Sequence, residues 1–206
     1  MDLLLRGVAI GFVIAAGIGP IGLLCVRRTL ESGFGIGFAT GLGAATADAA
    51  YAALAAFGAG ALGAALIGAR QPMAVVGGVV LIALGVSAWR HASDPTTAAP
   101  DRLRRRDLVS AWASTFVLTL MNPMTILSFA AAFVALVPPR SDVAAGALIV
   151  AGVAAGSTLW WLILAGGVAA ARRGVSPRAM RLLRHGSAIL LIGFGLVAIG
   201  SAALVG

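Results

Sequence analysis

Polar interruptions divide the chain into long apolar runs near Leu3 to Val26, Phe34 to Ala69, Met73 to Trp89, Leu108 to Val137, Val143 to Ala171 and Gly186 to Val205. A helix needs about 20 apolar residues to cross the hydrocarbon layer, so the pattern predicts an all-α integral membrane protein with about six transmembrane helices, five or seven being the alternatives. The second run is the ambiguous one. It reads either as one tilted span with an overhang, or as a span ending near Phe57 followed by a short re-entrant or interfacial piece. The first run offers Ala15, Ala16 and Gly17 as a cleavage site, but it continues to Val26 without a polar flank and starts with Asp2 and Arg6. It is therefore read as a span and not as a signal peptide.

Prolines interrupt two of these runs, in Gly17-Ile18-Gly19-Pro20 and in Met121-Asn122-Pro123. A proline inside a helix costs about 3 kcal/mol and frees a carbonyl. At membrane depth such backbone is tolerated only where it is buried in protein or faces water, which makes both breaks candidate ligand sites. Each break lies in the first span of its half of the chain. The halves are residues 1–91 and 108–206, joined by a polar, basic linker over 92–107 that contains Pro95 and Pro100. An odd number of spans in each half implies two inverted three-helix repeats, an architecture of secondary transporters with interrupted helices at corresponding positions. Pro20 follows Arg6 and Pro123 follows Asp107 at similar distances, whereas Arg27 follows Pro20 far sooner than Arg140 follows Pro123. The repeat is therefore expected to be good up to the breaks and poor beyond them.

Composition agrees with the hydropathy pattern: 60% of the 206 residues are hydrophobic and 11% are charged. All 15 basic residues are arginines. With six spans, twelve of them (Arg27, Arg28, Arg90, Arg102, Arg104, Arg105, Arg106, Arg172, Arg173, Arg178, Arg181 and Arg184) fall on one side, against Arg6, Arg70 and Arg140 on the other. Basic loops stay in the cytoplasm, so both termini are expected outside. The net charge of +8 thus reads as topology. Nucleic-acid binding is not expected, because no aromatic residues interleave with Arg102 to Arg106; a juxtamembrane basic cluster meets anionic lipid instead.

Asp48 is the ionisable side chain well inside an apolar run. Placing aspartate at a helix centre costs roughly 2.5 to 3.5 kcal/mol. A carboxyl group whose charge changes as water reaches it from alternate sides can couple proton movement to transport, and the competing account is a structural aspartate hydrogen-bonded to a neighbouring span. Ala44, Asp48, Tyr51 and Ala55 share a helical face. Tyr51 then either approaches the same cavity or anchors at the interface. Gly37, Gly41 and Ala45 form a small-residue stripe suited to close helix packing. In the fourth span Thr115, Thr119 and Asn122 form a polar stripe ending at the break, and Asn122 carries donors and an acceptor suited to the carboxylate and ammonium of an amino acid. Helix N-termini after Pro20 and Pro123 would present N–H groups to an anion. In the fifth span Gly152 and Gly156 read as packing residues, Ser157 and Trp161 share a face, and Trp161 either gates the path or packs against lipid, the latter being the expectation. At 1.5 Å per residue, Pro20 falls about 21 to 26 Å from the outer surface and Asp48 about 22 Å from the cytoplasmic one. Either the second span begins later than Gly33, or the proton and substrate sites are separate.

The order of these features resembles the LysE/RhtB-type amino-acid exporter family. The resemblance rests on the Gly19-Pro20 break followed by Arg27-Arg28-Thr29-Leu30 and Gly33, on Gly41-Leu42-Gly43 with Asp48 and Tyr51, and on Asn122-Pro123 leading into Ser128-Phe129. It covers nearly the whole chain. Two positions depart from the family: Ile18-Gly19-Pro20 stands where Pro-Gly-Pro is usual, and Met124 where many members have lysine. The second departure removes a positive charge, so a substrate inferred from the basic members does not carry over. The resemblance implies export of amino acids or similar small metabolites from the cytoplasm, driven by the proton or ion gradient. Gly19, Pro20, Asp48, Tyr51, Thr119, Asn122 and Pro123 are then the expected pathway residues, Asp48 is the proton-coupling group, and no cofactor is expected.

The alternatives from other classes are an inorganic-ion carrier or channel and a structural membrane subunit. An enzyme is not expected, since His91 and His185 stand beside arginines at span ends, Cys25 is a lone cysteine and no Walker loop appears. The same residues give no metal-binding cluster. The small-residue stripes permit a homodimer. The absence of lysine, together with abundant alanine, glycine and arginine, suggests a GC-rich bacterial genome and hence the cytoplasmic (inner) membrane.

Overall fold

A computed structural model describes residues 2–17, 19–57, 68–92, 105–122, 125–129 and 143–203. Among the described residues the chain is helical, without strands. The long helices are α1 (Asp2–Ala15), α2 (Pro20–Ser32), α3 (Phe34–Phe57), α4 (Arg70–Ala92), α5 (Arg105–Leu120), α6 (Val143–Ala171) and α7 (Pro177–Ala203), with a 3-10 turn at Arg172–Gly174. Residues 125–129 are helical as well. By length and apolarity three helices are candidate spans, at Gln71–Arg90, Val143–Ala171 and Arg178–Ala202. The α1–α2 pair qualifies as a fourth, broken one.

The first apolar run does not form a single rod. Gly19 is extended (φ −161°, ψ 180°) and Pro20 opens α2 at its first turn, as expected for a residue held out of the helical region by a following proline. The two helices meet at 77°. At the other end of α2, Gly33 takes φ +87° and its N–H bonds the Thr29 carbonyl at 2.9 Å. Glycine adopts this left-handed conformation without steric cost, and the chain turns directly into α3. Arg27 and Arg28, expected in a loop, are therefore helical residues of α2. Other boundaries move in the same direction. Arg105 to Asp107, assigned to the linker, start α5, and α7 begins at Pro177, well before Gly186. The second run is helical from Phe34 to Phe57; 58–67, on which its two readings differ, lie outside the described residues, as does 93–104 of the linker.

Glycines set which helices meet. A side chain at Gly7, Gly11, Gly152 or Gly156 would strike the backbone of the facing helix, so α1 and α6 approach backbone to backbone, the mode of close packing favoured between membrane helices. Gly7 faces Ile149 and Gly11 faces Val153, and Phe12 meets Trp160 edge-on at 5.4 Å, so the two helices run parallel. Gly43 faces Trp112 and Phe116 while Tyr51 reaches Leu120, making α3 and α5 parallel too. By contrast, α3 and α6 are antiparallel, with Gly41 against Trp161 and Phe57 against Gly146. Antiparallel packing also joins α4 to α7, through Gln71 to the Ala202 carbonyl at 2.9 Å, Gly78 to Gly195 and Trp89 to His185 at 5.0 Å. Asp2, Phe57, Gln71, Val143 and Ala202 consequently lie at one end of the bundle, and Ser32, Trp89, Arg105, Ala171 and His185 at the other. The second end holds the charge: Arg27 Nε lies 3.0 Å from Glu31 Oε1, Arg184 Nε lies 3.9 Å from it, and Arg172 donates to the Glu31 carbonyl at 3.3 Å.

Candidate functional site

Asp48 sits on the face of α3 turned towards α6 and is 3% exposed. Ser157 Oγ donates to Asp48 Oδ2 at 2.7 Å, and Trp161 Nε1 donates to Ser157 Oγ at 3.2 Å. The expected pairing of Ser157 with Trp161 thus becomes a relay from the indole to the carboxyl group. Trp161 is 2% exposed, so it packs inside the protein and not against lipid as expected. Its burial follows from Gly41, whose missing side chain leaves room for the indole.

Asp48 and Trp161 line a chamber of about 60 Å³ whose walls include Gly19, Pro20, Thr119 and Asn122. The depth conflict from the sequence is thereby removed. A straight first span would have carried Pro20 past the level of Asp48, whereas both residues line this chamber, at the point where α1 and α2 meet at 77°. Pro20 has no N–H, and the Leu23 N–H bonds the Gly19 carbonyl at 3.2 Å. That leaves the N–H groups of Ile21 and Gly22, both chamber-lining residues, without acceptors inside their own helix. The positive end of the α2 dipole therefore faces the chamber.

Thr119 contributes an unmet polar group. Thr29, Thr40, Thr46 and Thr115 each donate to the carbonyl four residues earlier, whereas Thr119 Oγ1, on a residue 3% exposed, is buried with no hydrogen-bond partner. Burying a hydroxyl without a partner costs about 1–3 kcal/mol. A polar guest in the chamber would offset that cost. On the far wall, the Asn122 carbonyl accepts from the Thr125 and Ile126 N–H groups at 3.1 and 3.3 Å, starting the helix over 125–129 immediately after the break.

The polar stripe of α5 does not act as a unit. Thr119 and Asn122 line the chamber, but Thr115 belongs to a different cluster centred on Arg28. Arg28 Nη1 donates to Thr40 Oγ1, the Ala111 carbonyl and Thr115 Oγ1 at 3.2, 3.2 and 3.1 Å, and Nη2 donates to Ser114 Oγ at 3.0 Å. One guanidinium thus ties α2 to both α3 and α5. Tyr51 also lies off the chamber. It is 4% exposed, stacks on Phe129 at 5.8 Å, and donates to the carbonyl of Leu120, which sits at the end of α5 where the helical ladder stops. Its hydroxyl caps the second break from a neighbouring helix. Pro123 itself lies outside the described residues.

A second cavity, of about 470 Å³, adjoins the chamber and shares Ile14, Gly19, Pro20, Asn122 and Thr125 with it. Its remaining walls come mainly from α4 and α7 and include Gly77, Leu81, Phe194 and Ala198. Small-molecule sites occupy roughly 300–1,000 Å³, so this cavity has ligand size and the chamber does not. The two broken segments form the wall between them. Sequence reasoning named that wall and Asp48, and put Ser157 and Trp161 on one face, but did not join the pair to Asp48, because that meeting depends on the antiparallel pairing of α3 with α6.

No curated protein and no solved structure matches the chain. A family model does match, that of the LysE type translocator over residues 12–201, and because this covers nearly the whole chain, the protein belongs to that family of membrane translocators.

Proposed function

We propose that the protein exports amino acids or similar small metabolites from the cytoplasm as a secondary transporter coupled to the proton gradient through Asp48. The observation that carries this reading is the meeting of Asp48, the α2 N-terminus, Asn122 and the unpartnered Thr119 hydroxyl around one chamber. An amino acid brings a carboxylate suited to the exposed N–H groups of a half-helix and an ammonium suited to a carboxylate or to carbonyls freed at a break. Family membership supports transport of small molecules.

The packing supports two inverted halves and six passes. Exchanging the halves turns the α1–α6 pair into the α5–α3 pair, and both are parallel. The same exchange maps the antiparallel α3–α6 and α4–α7 pairs onto themselves. Low-dielectric surroundings disfavour a carboxylate in general, so alternate access of water to Asp48 from the two ends would let it take up and release a proton once per cycle.

Two measurements test the reading. Proteoliposomes loaded with radiolabelled amino acids are expected to release at least one of them faster under an imposed pH gradient than protein-free vesicles; equal release for every amino acid tried overturns the proposal. Because arginines crowd the end of the bundle opposite the termini, tags at both termini are expected to react with impermeant reagents on intact cells. A terminus labelled only after lysis contradicts the orientation.

A further inference from the structure

The unequal volumes of the two cavities say which part of a substrate goes where. About 60 Å³ beside Asp48 holds a few waters or one end of a small molecule, since a single water needs roughly 10–15 Å³ of such space. The bulk of any substrate must lie in the 470 Å³ cavity between the broken segments and the α4–α7 pair. The two spaces differ in chemistry as much as in size. Around the chamber stand a carboxyl, an amide, a hydroxyl and a helix N-terminus. Across the break, the walls that α4 and α7 add are Ala74, Leu81, Phe194, Val197 and Ala198, with two glycines and Ser201. Among the described lining residues of this larger cavity there is no Asp, Glu, Lys, Arg or His. Among the described walls a charged side chain would lose its water and find no counter-charge, whereas an aliphatic or thioether chain would gain the contacts that α4 and α7 leave open.

Resting on the exporter reading, we propose that the substrate is a neutral amino acid with an apolar side chain, seated in the α4–α7 cavity, with Leu81, Phe194 and Ala198 setting the size it accepts. The amino-acid head then lies at the shared wall of Gly19, Pro20 and Asn122, within reach of the Asp48 chamber. Specificity and coupling are thereby divided. Head-group contacts come from the broken segments, and side-chain selection comes from the third helix of each half.

The full-length protein in proteoliposomes, preloaded in separate batches with leucine, methionine, alanine, phenylalanine, lysine or glutamate, tests this. Leucine or methionine efflux is expected to exceed lysine and glutamate efflux by about tenfold or more. Ala198→Phe fills the cavity and is expected to lower the leucine-to-alanine efflux ratio by about tenfold. Phe194→Ala removes volume from the same wall and is expected to raise the phenylalanine-to-leucine ratio by a factor of about five. Lysine or glutamate efflux equal to that of leucine, or ratios unmoved in both variants, overturns the proposed class and leaves the exporter reading in place. Failure of the parent protein to move any of the six overturns both together.

Discussion

Asp48→Asn is expected to remove the pH-gradient dependence of efflux while leaving a folded protein. Asparagine is nearly isosteric, and its carbonyl oxygen can still accept the Ser157 Oγ–H that now reaches Oδ2 at 2.7 Å. The relay from Trp161 is kept, so the antiparallel α3–α6 contact is kept. What is lost is the ability to change charge. Because Asp48 is the acid among the described chamber walls, a neutral amide leaves no carboxyl among them to carry a proton across. Gradient-driven efflux is expected to fall by about a hundredfold, the factor corresponding to roughly 2.5–3.5 kcal/mol for a carboxylate within a membrane. Substrate exchange without a gradient should persist, because Asn122, Thr119 and the α2 N-terminus are untouched. Efflux and exchange measured in proteoliposomes at matched protein content check this. Gradient-driven efflux at the parent rate would show that Asp48 is structural.

The second large effect is on folding. Gly156→Leu and Gly11→Leu are each expected to lower the melting temperature in detergent by roughly 10 °C, from an overpacking cost of about 3 kcal/mol and about 2–4 °C per kcal/mol for a chain of this size. The new side chain at Gly156 would strike the Val8 carbonyl and the Phe12 amide, and at Gly11 the backbone of Val153. None of these atoms belongs to a flexible side chain that could move aside. Separating α1 from α6 would also displace the end of α1 that precedes Gly19, so whatever protein folds should transport poorly. Gly167→Leu is the control: nothing lies within 4 Å of the added carbon, and leucine is the better helix former by up to about 1 kcal/mol. A melting temperature unchanged in Gly156→Leu and Gly11→Leu would mean that the parallel α1–α6 packing is wrong.

Much of the site was legible as residue types. Asp48 stands out because an acid in an apolar run is expensive, and Gly19-Pro20 and Asn122 because they interrupt helices that hydropathy otherwise demands. Their convergence was not legible. A depth calculation along straight helices placed Pro20 and Asp48 apart, since nothing local specifies the angle at which α2 leaves α1. The α5 stripe was misleading for a related reason. Helical spacing puts Thr115, Thr119 and Asn122 on one face, but Arg28, distant in sequence, takes Thr115 for its own cluster and leaves Thr119 and Asn122 to the chamber. Tyr51 had two readings, pathway or interface, and its hydroxyl found a third partner in the Leu120 carbonyl.

The sequence by itself determined that this chain is helical and membrane-embedded, where its helices break and which end of the bundle gathers arginine. Each of these depends on a local quantity: the transfer cost of a residue, a missing N–H or a run of charge. Only the tertiary structure decided that the break at Pro20 meets Asp48, that Ser157 holds the carboxyl group, and that a ligand-sized apolar cavity lies across the wall from it. Those outcomes depend on which helices touch, in what direction and at what angle. Here that is set by glycines that let backbones approach, and a glycine's partner is a property of the fold that its neighbours in the chain do not reveal.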